Sequence, residues 1–233
     1  MEFLTQNNAK IWSLKISGPE FTDSLSKNLL QFETVEILEL METRISGKLL
    51  ESISQMPLLR IIRIKGADVD EFDLSSLPPG LNSVTEFTFR GTPAKVIGGS
   101  HLRIAFPGLT NLCFAGRSNT DWDHPPVLTE LERLELSFPE QASWMQNIAG
   151  TQTVSLNFYS CEEDAIFALL RTGKESLEKV LLRGTPIGNK IFDVLAAIPN
   201  LEHFDVVDTK VTNEALLNFN SQRPELSCWP NLK

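Results

Sequence analysis

Cysteine is scarce in this chain of 233 residues, and long apolar runs are missing. Cys113, Cys161 and Cys228 are odd in number and widely spaced, which predicts reduced thiols without disulfides or structural zinc. The longest apolar stretches, such as 165–170 and 194–198, are far shorter than the roughly 20 residues that cross a bilayer. The first residues lack the basic region and apolar core of a signal peptide. We therefore expect a cytoplasmic protein without a membrane span.

The charge balance excludes some classes of partner. Lys and Arg number 21 against 30 Asp and Glu, so the formal net charge is −9, and 42% of the residues are hydrophobic. This composition is typical of a soluble globular chain. An acidic chain whose Lys and Arg are scattered lacks the basic stripe that nucleic acid or an anionic membrane requires. We expect neither as a partner.

An internal repeat organises the sequence. The pattern apolar-x-x-apolar-x-apolar begins at 11, 35, 59, 84, 109, 131, 153, 177 and 201, with a degenerate tenth copy at 226. We number the columns of each unit from its first apolar residue. Glycine recurs in column eight, at Gly18, Gly66, Gly91, Gly116 and Gly184. A generic apolar α/β domain would not keep this register, so the period of about 24 residues predicts a solenoid.

From about Ile11 to Trp229 these units resemble those of leucine-rich-repeat proteins. The resemblance implies an α/β fold: a right-handed horseshoe or arc with a parallel β-sheet on the concave face and mixed helices and turns on the convex face. It also implies one domain over 1–233. Column nine departs from the family's familiar Asn, since it contains Thr43, Cys161, Thr185 and Thr209. These residues look like the threonine/cysteine-type repeats of intracellular proteins, within a ribonuclease-inhibitor-like superfold.

The segments that return from one strand to the next are predicted to differ. Apolar residues spaced three and four apart predict helices around 49–53, 166–170, 191–195 and 215–219, and 23–30 is a further candidate. Proline pairs at 78–79 and 125–126 predict turns or extended chain in units three to six. Two alternatives are open for the ends of the core. Trp12, Trp229 or the first residues cover them, or the chain is part of a longer protein.

No motif indicates catalysis, a cofactor or a metal. Gly98-Gly99-Ser100-His101 lacks the spacing of a P-loop or a nucleophile elbow, and a turn is the simpler interpretation. Asp121-Trp122-Asp123-His124 offers ligand types to a metal, but the residues are consecutive and no second cluster accompanies them. Cys113 is placed beside Arg90 and Arg133 in neighbouring units, which favours some thiol reactivity, yet no histidine lies next to it.

The concave face is the predicted site. Columns three, five and seven point outward from the sheet, and they contain seven Lys or Arg and four Asp or Glu, a net charge of +3. Apolar, Tyr and Arg side chains together are typical of protein-binding hot spots. The predicted partner-binding residues are Ile37, Glu39, Met41, Ile61, Arg63, Lys65, Glu86, Arg90, Arg133, Tyr159, Lys179, Leu181 and Arg183.

Two interpretations of the basic residues remain open. In the first, a protein partner presents acidic groups to Arg63, Lys65, Arg90, Arg133 and Arg183. In the second, these cations only solubilise the sheet and pair with Glu39, Glu86 and Glu135 on neighbouring strands.

The function that follows is a monomeric, non-enzymatic module that binds a protein partner. One alternative is an inhibitor or immunity protein similar to ribonuclease inhibitor, which would use the acidic residues of columns two and eight: Glu36, Glu132, Glu178, Glu202, Glu42 and Asp208. Another is the substrate-recognition part of a ubiquitin-ligase adaptor. Enzyme activity is the least supported class.

Overall fold

The computed structural model describes residues 10–46, 48–67, 71–75, 77–91, 95–115, 121–122, 130–137, 155–159, 161, 163–172 and 174–230. The strands of these residues are, in chain order, β1 Ser13–Ser17, β2 Ile37–Met41, β3 Ile61–Ala67, β4 Glu71–Asp73, β5 Glu86–Gly91, β6 Lys95–Ile97, β7 Asn111–Ala115, β8 Asp121–Trp122, β9 Arg133–Ser137, β10 Ser155–Tyr159, β11 Lys179–Arg183, β12 His203–Asp205 and β13 Ser227–Trp229.

Ten of these strands form one parallel sheet in the order β1-β2-β3-β5-β7-β9-β10-β11-β12-β13. Each strand pairs in register with the strand of the next unit, so that residues of one column lie side by side. The predicted parallel sheet with return segments on its other side is therefore confirmed. That the whole chain, 1–233, is one domain of nine units stays a prediction.

Side-chain alternation along the strands creates the core. Columns four and six point inward, as at Leu38 and Leu40 in β2 and Val180 and Leu182 in β11, all of which are fully buried. Column one is also buried wherever the structure describes it after the first unit. Because a unit exposes this apolar side until its neighbour covers it, stacking rather than local propensity stabilises the fold.

The return segments agree only partly with the predictions. The four predicted helices are present as Lys48–Ile53, Glu163–Thr172, Ile191–Ala196 and Asn213–Gln222, and Asp23–Gln31 is a 3-10 helix. Turns or extended chain were predicted for units three to six, and the described return segments of units three to five contain the strands β4, β6 and β8. These strands pair into a second parallel sheet that the proline pairs do not reveal. The return segment of unit six lies outside the described residues. Unit four also contains a short helix, Leu102–Ala105, which was not predicted.

Aromatic rings fill the interior of the middle units. The Phe89 ring lies 4.2 Å from that of Phe72 in β4 and 4.9 Å from that of Phe114 in β7, measured between centroids. A second pair, Phe87 and Phe106, is stacked at 5.4 Å. Large rings thus occupy the space between the two sheets.

Columns eight and nine form the turn out of each strand. Positive φ angles occur in column eight at Gly18, Gly66 and Gly184, and also at Glu42 (53°) and Asp208 (56°). In column nine, the hydroxyl groups of Thr185 and Thr209 donate to the carbonyl oxygens of Leu182 and Val206, at 3.1 and 2.7 Å. Backbone conformation thus explains Gly18, Gly66 and Gly184. Gly91 has no positive φ, and Gly116 lies outside the described residues.

Replacement of Glu42 by glycine is expected to stabilise the protein by about 1 kcal/mol, because only glycine adopts this left-handed conformation without steric cost. The matched control is Glu42→Ala, which removes the same exposed side chain but keeps the Cβ atom. Urea denaturation of the three proteins measures the difference. Equal stability of the glycine and alanine variants would contradict the conformational explanation.

Both tryptophans near the ends of the solenoid are largely exposed. Trp12 is 63% exposed and Trp229 is 54% exposed, so each buries less than half of its surface. The first nine residues, the other proposed cover, lie outside the described residues. Among the described residues, no helix combines the length and the apolar character that crossing a membrane would need.

Candidate functional site

The concave face consists of the outward columns three, five and seven. Its predicted apolar residues are half-buried by their neighbours: Ile37, Met41, Ile61 and Leu181. Arg90, Arg133, Lys179 and Arg183 are exposed, while Glu39, Arg63, Lys65 and Glu86 are half-buried. Tyr159 lies in β10, but its side chain is outside the described part of the structure. The face therefore presents apolar patches among charged groups.

Ion pairs between strands involve most of the charged side chains of the concave face. Arg63 Nε donates to Glu86 Oε1 at 2.8 Å. Lys65 Nζ donates to Glu39 Oε1 at 2.7 Å. Column register explains these pairs, because residues 23 to 26 positions apart in sequence lie on adjacent strands.

The other two acidic residues of the face are also paired. Arg183 Nε donates to Asp205 Oδ2 at 2.7 Å, and Arg90 Nη2 donates to Glu135 Oε1. All eleven charged side chains of the face lie within the described residues. Arg133 Nη2 also lies 3.8 Å from Glu135 Oε2, so Arg90 and Arg133 share one carboxylate. The net +3 of the face is therefore carried by Lys15, Lys179 and the cluster of Arg90, Arg133 and Glu135.

The pairing has a measurable electrostatic consequence at Glu39. Its pKa is lowered from the ordinary value, first because Lys65 donates a hydrogen bond to the carboxylate and then because Lys65, Lys15 and Arg63 are positively charged. Glu39 is therefore ionised at neutral pH and keeps Lys65 in place.

Asp205 is buried, although column five was predicted to point outward to solvent. Its carboxylate accepts hydrogen bonds from Arg183 and from the Val207 backbone N–H at 2.9 Å, and the residue has no exposed surface. Asp side chains commonly accept a hydrogen bond from the backbone N–H two residues ahead, and the assignment of columns did not take this local preference into account.

A depression lies at the middle of the face, over β3, β5, β7 and β9. Its volume is about 270 Å³. The register places Thr88 beside Cys113 and Glu86 beside Asn111, so short side chains form the floor between longer ones. The lining residues are Arg63, Lys65, Glu86, Thr88, Arg90, Asn111, Leu112, Cys113, Arg133 and Glu135. The depression is the concave feature that a side chain of a partner could enter.

The surroundings of Cys113 disfavour its thiolate form. Burial raises its pKa to about 11, even though Arg90 Nε donates a hydrogen bond to the sulfur at 3.4 Å. At neutral pH it stays protonated, and a thiol is a weak nucleophile. Desolvation outweighs the effect of Arg90, which acts in the direction that the sequence predicted.

The other sequence candidates do not form a site in the described structure. Gly99–His101 is a 3-10 turn, and His101 Nε2 lies 2.7 Å from the carbonyl oxygen of Leu77. Asp121 and Trp122 form β8, whereas Asp123 and His124 lie outside the described residues. Within the ranges that the structure describes, no group of three or more His, Cys, Asp or Glu could hold a metal ion.

A second cavity, which sequence reasoning missed, lies at the C-terminal end of the sheet. Its volume is about 360 Å³, and Val206, Val211, Leu216 and Trp229 contribute to its lining. Trp229 is far from these residues in sequence but near in space, because β13 pairs with β12.

The chain is similar to several solved structures. An internalin from Listeria monocytogenes matches with a TM-score of 0.50 at 13% sequence identity, over 89% of this chain and 70% of that chain. A leucine-rich-repeat protein from Leptospira interrogans matches with a TM-score of 0.41 at 10% identity, over 87% and 68%. A protein from Bacteroides fragilis matches with a TM-score of 0.49 at 11% identity, over 94% and 64%.

The similarity to the internalin shows the fold alone, because the sequence identity is only 13%. The match to the internalin, together with the parallel sheet and its return segments, confirms the predicted α/β leucine-rich-repeat solenoid. No protein-family model matches the sequence, and no curated protein matches it significantly.

Proposed function

We propose that this protein is a non-enzymatic module that binds a protein partner through its concave face. The observation that carries the proposal is the coexistence of half-buried apolar side chains, such as Ile61 and Leu181, with oriented ion pairs around a depression of about 270 Å³. Apolar area that can be buried, next to charges that define the orientation of the partner, is typical of protein interfaces.

The ion pairs favour binding because they restrict the side chains before the partner arrives. Arg63 and Lys65 are each hydrogen-bonded to a carboxylate on a neighbouring strand. A surface whose long side chains are already ordered loses less conformational entropy on association.

The finer parts of the proposal rest on the sequence. The Thr and Cys residues of column nine support a threonine/cysteine-type repeat of the ribonuclease-inhibitor-like superfold. The reduced-thiol pattern supports a cytoplasmic location, and the dispersed basic residues support a protein rather than nucleic acid or a membrane as partner. We propose a monomer.

The experiment is affinity capture from an extract of the cells that make the protein, with quantitative mass spectrometry. A double variant, Ile61→Asp with Leu181→Asp, is expected to lower the amount of the bound partner at least tenfold, because it places charge in the apolar part of the concave face. The matched control is Ile104→Asp with Leu217→Asp, which makes the same changes at exposed positions of return helices.

The proposal is decided by which of the double variants lose the bound partner. Equal retention by both double variants, or equal loss, would contradict binding through the concave face. A third double variant, Glu178→Lys with Glu202→Lys, reverses two exposed acidic residues of column two. Loss only in this variant would instead support the inhibitor alternative.

A further inference from the structure

We propose that the depression binds one carboxylate side chain, Asp or Glu, of the protein partner, and that Arg133 is the residue that pairs with it. This inference rests on the proposed function and deepens it. The five basic residues that were predicted to contact acidic groups thus have different roles.

Charge pairing within the face selects Arg133. Arg63, Lys65, Arg90 and Arg183 each donate to a carboxylate of the face itself. A partner carboxylate would have to compete with those short contacts. Within the described structure, the other three cations of the face, Lys15, Arg133 and Lys179, donate no hydrogen bond to a carboxylate. Of these three, Arg133 lines the depression, and Lys15 and Lys179 are outside its lining.

The geometry around Glu135 leaves donors of Arg133 available. Arg90 donates to Oε1 of Glu135, while Arg133 Nη2 lies 3.8 Å from Oε2, which is longer than a hydrogen bond. The Arg133 side chain is 57% exposed, whereas that of Glu135 is 9% exposed. A guanidinium held beside a carboxylate without a hydrogen bond to it can still direct its fork of N–H groups toward an incoming acid.

The size and the charge of the depression favour a carboxylate over a phosphate. About 270 Å³ is slightly below the usual range of small-molecule sites, roughly 300–1,000 Å³, and suits one inserted side chain. Its charged lining residues are four cations and two anions. Lys65 is also paired with Glu39 outside the lining, which leaves a net charge of +1. One carboxylate neutralises this charge, whereas a phosphate carries about −1.5 to −2 and would leave an excess of negative charge.

The experiment selects binders from a phage-displayed library of random 12-residue peptides on the immobilised protein. We expect the selected peptides to share one Asp or Glu position. Changing that residue to Asn or Gln should weaken binding to the wild-type protein about tenfold. It should weaken binding to the Arg133→Gln variant less than twofold, since the pairing group is gone.

The matched control is Lys179→Gln, which removes one positive charge from the same column of another strand. In this variant the tenfold dependence on the peptide acid should persist. Arg133→Gln is expected to fold because Glu135 keeps its contact with Arg90, and thermal melting verifies that.

The outcomes separate this inference from the proposed function. The carboxylate site is refuted if the selected peptides share no acidic residue. It is also refuted if replacing that residue by its amide weakens binding to the wild type and to Arg133→Gln by the same factor. If those peptides still lose binding to Ile61→Asp, the proposed function stands. Peptides that are insensitive to both changes, or a selection that yields no binder, count against both. Tighter binding of a synthetic phosphoserine peptide than of its Glu parent overturns the choice of a carboxylate.

Discussion

Leu182→Asp is expected to unfold the protein. Leu182 is fully buried in β11, and removal of a buried leucine side chain alone costs about 3–5 kcal/mol. The new carboxylate adds the cost of burying a charge without a partner. Together these effects are comparable to the whole stability of a typical domain, about 5–15 kcal/mol. Far-UV circular dichroism during heating measures the loss.

The neighbouring residue provides the control. Leu181 belongs to the same strand but points to the concave face, where it is half-buried. We expect Leu181→Asp to lower the melting temperature only slightly, since water can solvate its carboxylate. A melting curve of Leu182→Asp that resembles that of the wild type would refute the inward assignment of column six. Similar unfolding of both variants would refute the alternation between faces.

Arg183→Ala is expected to destabilise the protein by about 2–4 kcal/mol, because it leaves the buried carboxylate of Asp205 without its cation. This loss of stability is in the lower part of the usual range for breaking a buried ion pair. The Arg183 side chain is 48% exposed, so water partly screens its interaction with Asp205. Lys179→Ala removes an exposed cation from the same strand and should cost less than about 0.5 kcal/mol. Urea denaturation at neutral pH compares the two variants.

A double variant tests the cause. Asp205→Asn added to Arg183→Ala removes the uncompensated charge, while the Asn oxygen can still accept the hydrogen bond from Val207 N–H. We expect it to recover at least half of the lost stability. If the double variant is less stable than Arg183→Ala alone, the loss arises from packing of the arginine stem rather than from the buried charge.

Much of the fold was predictable from particular columns. Leu38 and Leu40, or Val180 and Leu182, identify the buried side of a strand because apolar residues in alternate positions have one favourable placement. Gly18, Gly66 and Gly184 indicate the left-handed turn. The second sheet of β4, β6 and β8 was not predictable, because such short strands form only when a neighbouring return segment pairs with them.

The candidate site was predictable as a surface but not in its electrostatics. Counting columns identified the charged residues of the face and their net +3. It could not tell Arg133, which lies 3.8 Å from Glu135, from Arg90, which donates to the same carboxylate. Nor could it show that burial raises the pKa of Cys113, since desolvation depends on how closely the side chains of neighbouring strands pack.

The scarce cysteines, the short apolar runs and the period of about 24 residues are properties of the sequence alone. The period determined a solenoid, because an apolar face that recurs in each unit can be buried only by stacking the units. The tertiary structure decided which outward residues act on each other. Ion pairs join residues more than 20 positions apart, and their formation depends on strand register and side-chain reach, two quantities that exist only once the units are stacked.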